Sequence, residues 1–263
     1  MFNLFKASLY KLFREKTFLI TMIIGTVLAI TLPLIYYAIG QLSDISLCSG
    51  QSMLLSSVST GNNFGLTVPI NLAVLVVSEF TTGTLRNKII AGYRKSFIYA
   101  SLLFSGIIFT FIMMVYYVGL SVLMGTVLGG FNAEAIGGAN FIIPYIFFAL
   151  TSYIFIASIS IFVSSNIRVI GGSLPILIIF LTVLSLLPIF LQIGAEDNNF
   201  IVVMSWIFPT YVLNLYSGSL GSLGVVVAGL TDAAIAGGII CPIIYATVFA
   251  ILGTILFARR DIK

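Results

Sequence analysis

The stretch from residue 79 to residue 96 brings charged, hydroxyl and apolar side chains together in close succession. These types suit ion pairing and contact with a partner rather than bond cleavage, because the stretch holds one carboxylate, Glu79, and no histidine or cysteine. Gly83 breaks the apolar run before it. Thr84 is predicted to be the N-cap of a short helix, since its hydroxyl can accept a free backbone N–H, and Gly92 is placed to end that helix.

This short helix is predicted to have one apolar edge, formed by Leu85, Ile89 and Ile90. One interpretation is a simple basic loop with an interfacial turn. The other is a short helix that docks onto a cytoplasmic partner. A basic loop would not require the Gly-Thr start or the Ile-Ile edge, so the pattern favours docking.

The role of Glu79 stays open between two interpretations. It is either a solvated carboxylate at a helix end or one half of an ion pair with Arg86, Arg94 or a partner subunit, which would fix the docking turn. Arg168 is a single charge between two later apolar runs. It is predicted to anchor a second cytoplasmic contact loop.

Several kinds of chemistry are missing from the sequence. It has no Gly-Lys pair, so it lacks the phosphate loop with which many ATPases hold nucleotide. It has two cysteines and no histidine, which excludes a Cys/His zinc site within the chain. A serine nucleophile would find no histidine to act as its base. We therefore expect no enzyme and no cofactor in this chain; any ATP and Mg would be bound by another subunit.

The composition predicts an all-α polytopic membrane protein with a single domain over residues 1–263. Hydrophobic residues make up 60% of the chain and charged residues 8%, whereas soluble domains carry about 25% charged residues. Uncharged runs of more than about 20 residues are long enough to cross the hydrocarbon core as helices. Six spans are predicted, at about 17–40, 57–79, 97–125, 141–164, 170–192 and 233–257.

The basic residues predict the orientation of these spans. All 12 lysines and arginines fall on one side of the six-span layout, whereas five acidic residues and no basic one fall on the other. Because lysine and arginine are retained in the cytoplasm, both termini are predicted to be cytoplasmic and the protein to lie in the plasma membrane. The same clustering beside apolar runs argues against nucleic acid as a partner.

Two segments outside the spans have their own predictions. Residues 1–16 carry apolar side chains at helical spacing, which favours an amphipathic helix in the cytoplasmic interface over an ordinary basic flank; these side chains are Phe5, Leu9, Leu12 and Phe13. Residues 200–216 are apolar enough to cross, but Pro209 interrupts them, and a crossing would place Arg259 and Arg260 outside. We therefore predict that 195–232 forms outer-face interfacial or re-entrant helices rather than a seventh span.

The chain resembles the permease subunits of type-2 ABC exporters. The likeness is most specific in one motif, and it extends to the layout of six spans, the amphipathic start and the basic end of the chain. The motif reads Glu79-x-x-x-Gly83-Thr84-Leu85-Arg86, followed by a short helix and Arg94; the end reads Phe257-Ala-Arg-Arg-Asp261-Ile-Lys. The sequence departs from the family at Ala100 and Ser101, where a basic residue is frequent.

The resemblance implies that two permeases, identical or related, pair in the membrane through the second and fifth spans. Each would dock a separate ATPase subunit through a coupling loop at about 80–95, with Glu79, Gly83–Arg86, Ile89, Ile90 and Arg94 as its docking residues and Arg168 in a second contact. ATP-driven closure of the ATPases would move a drug, an antimicrobial peptide or a lipid outwards.

Two other classes of function stay open at this stage. One is a secondary transporter or channel that works without an ATPase, for which Pro175 and Pro188 would break the fifth span. The other is a structural or regulatory membrane subunit that binds a partner without moving cargo.

Overall fold

The fold is all-helical throughout the part of the chain that the computed structural model describes, which confirms the predicted class. That part comprises residues 2–43, 48–59, 63–131, 139–167, 169–192, 198–216 and 232–259. Its helices are α1 (Phe2–Arg14), α2 (Lys16–Ser43), α3 (Gly50–Val58), α4 (Asn63–Thr81), α5 (Thr84–Ile90), α6 (Lys95–Gly129), α7 (Ala139–Ile167), α8 (Ile170–Gln192), α9 (Asn198–Ile207), α10 (Tyr211–Tyr216) and α11 (Asp232–Arg259).

Five of these helices, α2, α6, α7, α8 and α11, are long and apolar enough to cross a membrane. A sixth candidate is the pair formed by α4 and α5, which is bent by 60° at the break between them. The five long helices each contain one of the runs predicted from sequence as spans, and α4 contains the later part of the run predicted at 57–79. Helix α6 has 35 residues and is therefore about 52 Å long. That exceeds a hydrocarbon core of about 30 Å, so α6 extends into the packing at both ends of the bundle.

One end of the bundle, called the α5 end below, collects α1, α5 and the adjoining ends of α4, α6 and α11. Its apolar cluster includes Leu4, Leu85, Tyr99 and Phe257, each from a different helix. The Phe257 ring lies 5.7 Å from the Tyr99 ring and 6.2 Å from the Phe80 ring. This packing holds five helix ends in one body.

The opposite end, called the α3 end, has close contacts between α3 and glycines of α6. The predicted second span begins too early, because residues 57 and 58 belong to the separate helix α3. Helix α3 starts with a capping box between Ser49 and Ser52. It lies against the end of α6, where a side chain at Gly125 or Gly129 would collide with Met53 or with the Cys48 carbonyl. At the other end of α3, the hydroxyls of two tyrosines on α7 donate to its carbonyls, Tyr145 to Leu55 and Tyr153 to Val58.

The described part of the predicted outer-face segment forms two short helices, α9 and α10, at the α3 end. Residues 193–197 and 217–231 lie outside the described residues. Pro209 stands between the two helices, which have ten and six residues, too few for either to span a membrane. The Pro209 carbonyl accepts a hydrogen bond from Ser152 of α7, and Gly237 of α11 lies against Ser205 of α9.

Helix α1 confirms the predicted helix near the amino terminus, but its faces differ from the prediction. Leu4, Ser8 and Leu12 are buried against the rest of the chain. Phe5 and Leu9 are half-buried, and Phe13 is exposed. The expected single apolar edge is therefore divided, because one face of α1 packs on its own protein.

Candidate functional site

The predicted docking turn is a sharp bend between α4 and α5. Helix α4 ends at Thr81 and α5 begins at Thr84. Gly83 between them has φ +70°, and Gly92 after α5 has φ +85°. Nothing lies within 4 Å of a Cβ built on either residue. The glycines are therefore required for the left-handed backbone rather than for space.

Thr84 does not cap the helix as predicted. The N-cap is Gly83, and no side chain caps it. The Thr84 hydroxyl points back to the end of α4, where it lies 3.2 Å from the Glu79 carbonyl oxygen and 3.1 Å from Glu79 Oε2. A threonine in the first turn can reach back in this way because the 60° bend brings α5 over the end of α4.

Glu79 is the centre of the site and is only 1% exposed. Lys88 Nζ of α5 donates to Oε2 at 2.8 Å, and Lys11 Nζ of α1 lies 3.3 Å from Oε1. Each carboxylate oxygen thus meets a lysine from a different helix. One side chain of α4 joins α1 and α5.

Further polar contacts link the same helices. Lys88 Nζ donates to Ser8 Oγ at 3.4 Å, and Ser8 Oγ lies 3.3 Å from Ser101 Oγ of α6. On the other side of Lys11, Glu15 Oε1 is 3.9 Å from its Nζ and accepts a hydrogen bond from Ser78 at 2.7 Å. We call Glu79, Lys11, Lys88, Glu15 and their hydroxyl partners Ser8, Ser78 and Thr84 the Glu79 cluster.

The charges of the Glu79 cluster balance, with two lysines against two glutamates. A buried carboxylate is costly unless it is paired and hydrogen-bonded, and Glu79 receives both kinds of contact. Its lysines stay partly exposed, at 24% for Lys11 and 15% for Lys88. The cluster is therefore a closed structural unit at the edge of the bundle.

This geometry rules out one sequence interpretation of Glu79 and confirms the ion pair of the other, but with different partners. It is not a solvated carboxylate, since it is buried, and its partners are lysines rather than Arg86 or Arg94. Both arginines are exposed and make no ion pair within the described part of the chain. They are available to a partner.

The predicted apolar edge of α5 is also divided between two faces. Leu85 is buried in the cluster with Tyr99 and Phe257, and Ile89 packs against that cluster. Ile90 points the other way and is 73% exposed. Leu85 thus holds α5 onto its own chain and is not available as a docking edge, which corrects its predicted role.

The outward side of the turn is basic and apolar. It is formed by Arg86, Asn87, Ile90, Tyr93 and Arg94, all of them exposed, and we call it the α5 face. The predicted second contact at Arg168 lies outside the described residues.

One partner of Glu79 could have been found from the sequence. Thr84, Leu85 and Lys88 share one side of a helix by their three- and four-residue spacing, so the inward direction of Leu85 implies that of Lys88. Lys11 left no such signal in the sequence, because it lies in α1, far from Glu79 along the chain.

Comparison with known protein families, with curated proteins and with solved structures finds no match for this chain. Among the described residues, no group of three or more cysteine, aspartate or glutamate side chains could hold a metal ion. The site itself, a charge-balanced cluster beneath an exposed basic surface, therefore carries the functional argument.

Proposed function

We propose that this chain is the membrane-spanning permease subunit of an ATP-driven exporter of the type-2 ABC kind. It moves hydrophobic or amphipathic cargo, and a separate subunit binds and hydrolyses the ATP. In this proposal the helices α2, α4, α6, α7, α8 and α11 are six spans of the plasma membrane. The α5 end and both termini are cytoplasmic, and α3, α9 and α10 lie at the outer face.

The observation that carries the proposal is that α5 combines an inner side fastened to the bundle with an exposed outer side. Leu85, Thr84 and Lys88 fasten α5 to α4, α6 and α1. On the opposite side, Ile90 and the two arginines of the α5 face are exposed. A surface helix that served only to connect two spans would need neither the buried ion pairs nor an exposed isoleucine.

The mechanism follows from the connections of α5. A displacement of the α5 face passes to α4 and α6, which adjoin α5 along the chain, and to α1 through Lys11 and Glu79. Because Leu85, Tyr99 and Phe257 pack in one cluster, α11 is engaged as well. A push from an ATPase would thus act on five helix ends together rather than bend a loop.

The proposed pairing with a second permease uses α8 rather than both spans that the resemblance implies. Most of α4 is buried within the chain, including Leu72, Ala73 and Val76. Helix α8 presents an exposed apolar surface with Ile176, Ile179, Phe180, Val183 and Leu187. That surface suits a second copy, a related permease or membrane lipid.

The test is to co-express the chain with a soluble ATPase encoded beside it and to purify the assembly through the permease. Reconstituted vesicles are then assayed for transport of drugs, antimicrobial peptides and fluorescent lipids, with ATP or with a non-hydrolysable analogue. We expect co-purification, and transport that depends on ATP hydrolysis. Transport by the purified chain alone, without nucleotide, would instead establish a secondary transporter or channel.

A further inference from the structure

Helix α1 has three faces rather than the two of a simple amphipathic helix. Leu4, Ser8 and Leu12 form the face buried on the protein. Phe5 and Leu9, both half-buried, lie beside it. The remaining arc, called the basic face below, is exposed and carries Lys6, Tyr10, Phe13 and Arg14.

The basic face has an internal organisation of its own. Arg14 donates to the Tyr10 hydroxyl at 2.8 Å, and its guanidinium carbon lies 5.6 Å from the centre of the Tyr10 ring. Lys6 stands one turn before Tyr10 on the same side of the helix. Because the arginine has five donors in a planar fork, a single bond to Tyr10 orients it and leaves donors free for an acceptor.

The charge of the basic face is uncompensated. Neither Lys6 nor Arg14 has an ion pair within the described residues. The carboxylate of the neighbouring Glu15 instead pairs with Lys11 and accepts a hydrogen bond from Ser78. Tyr10 is 63% exposed. A surface with two free cations and an exposed aromatic ring fits an anionic group at a membrane boundary.

The position of α1 in the chain indicates which molecule supplies that anionic group. Helix α1 ends at Arg14 and α2, one of the membrane-length helices, begins at Lys16. The basic face therefore lies within a turn or two of the point where the chain enters the hydrocarbon region. Phospholipid headgroups occupy that level of a bilayer.

We propose that the basic face of α1 binds the headgroups of anionic phospholipids through Lys6 and Arg14, with Tyr10 positioning the arginine. Phosphate oxygens accept from the guanidinium fork, as they do in other arginine–phosphate contacts. Lys6 and Arg14 are eight residues apart, about 12 Å along the helix, so each contacts a separate headgroup. This binding is independent of export activity and of any ATPase.

The experiment measures lipid binding to the full-length protein in detergent by native mass spectrometry. Phosphatidylglycerol is the anionic probe and phosphatidylcholine the neutral one. The unchanged protein should bind phosphatidylglycerol more tightly. A cation near an anionic surface contributes about fivefold in affinity, so Lys6→Gln with Arg14→Gln should weaken the binding of each of the two headgroups about fivefold and leave phosphatidylcholine unaffected.

Two control variants separate a built site from bulk charge. Arg86→Gln with Arg94→Gln removes the same two charges from the α5 face and should change phosphatidylglycerol binding less than about twofold. Lys6→Arg keeps both charges and the contact between Arg14 and Tyr10, and should retain most of the binding. Equal losses from both glutamine pairs, or no preference of the unchanged protein for phosphatidylglycerol, would overturn the proposal.

Discussion

Lys88 Nζ lies 2.8 Å from Glu79 Oε2 and closes the bend between α4 and α5. The two residues are nine positions apart, and the turn at Gly83 lies between them. Lys11 completes the arrangement from the other side, at 3.3 Å from Oε1. The angle between α4 and α5 is thus held by one buried carboxylate and two lysines.

Removal of both lysines should cost much more stability than the sum of the single changes. Lys11→Met and Lys88→Met each leave Glu79 one cation, whereas the double variant leaves a buried carboxylate with none, which typically costs about 3–5 kcal/mol. Thermal unfolding in nanodiscs measures the effect, and Lys16→Met is the control on an exposed lysine that has no ion pair within the described residues. Strictly additive single effects would show that the cluster does not act as a unit.

The backbone at Gly83 and Gly92 should resist substitution although there is room for a side chain. Gly83→Ala and Gly92→Ala should each destabilise the protein by about 1–2 kcal/mol, because an L-residue is strained at these positive φ values. Gly119→Ala is the matched control, since Gly119 is exposed on α6 with equally open space and a helical backbone. That change should be neutral or stabilising. A neutral Gly83→Ala would mean that the turn adopts another conformation.

The two faces of α5 should separate stability from ATPase docking. Ile90→Asp alters only the exposed face, so the protein should fold normally and lose the co-purifying ATPase. Leu85→Asp places a carboxylate in the buried cluster and should lower the unfolding temperature or abolish expression.

Leu42→Asp serves as the control for Ile90→Asp. Leu42 lies near the end of α2 away from α5, is 89% exposed, and undergoes the same chemical change. It should keep the ATPase. Retention of the ATPase by the Ile90 variant would remove the α5 face from the docking proposal.

Tyr99 and Gly253 should show coupled effects on stability. The Tyr99 hydroxyl is buried without a hydrogen-bond partner among the described residues, so Tyr99→Phe should be neutral or stabilising by about 1 kcal/mol. A Cβ at Gly253 would fall on that hydroxyl, and Gly253→Ala should therefore destabilise by about 1–3 kcal/mol. The double variant should recover part of this loss; no recovery would contradict the close contact between α6 and α11.

The proposed orientation can be tested by labelling whole cells with an impermeant maleimide. Cys48 and Cys241, both buried, are first replaced by alanine. Leu42→Cys should then react from outside, whereas Ile90→Cys should react only after the membrane is permeabilised. Both positions are well exposed, so a difference reports the side of the membrane. Labelling of Ile90→Cys in intact cells would reverse the proposed topology.

Much of the fold was predictable because long apolar runs restrict the chain to helices. The predicted fifth span at 170–192 coincides with α8, and the run at 233–257 lies within α11. The turn glycines were found as well, since Gly83 interrupts an apolar run at a point where a left-handed backbone allows the bend. The separate helix α3 was missed because residues 45–78 contain no charged side chain, and an uncharged run does not record a change of direction.

The sequence by itself determined that this chain is helical and apolar enough for a membrane, and that its charges lie outside the middle of its long apolar runs. Only the tertiary structure decided what those charges do. Whether Glu79 meets water, an arginine or a lysine depends on how α1 and α5 pack around the end of α4, and Lys11 reaches it from a helix far away in the chain. Local spacing determines which residues share a helix face. Which other helix lies against that face is decided by long-range packing, and a short stretch of sequence carries no information about that.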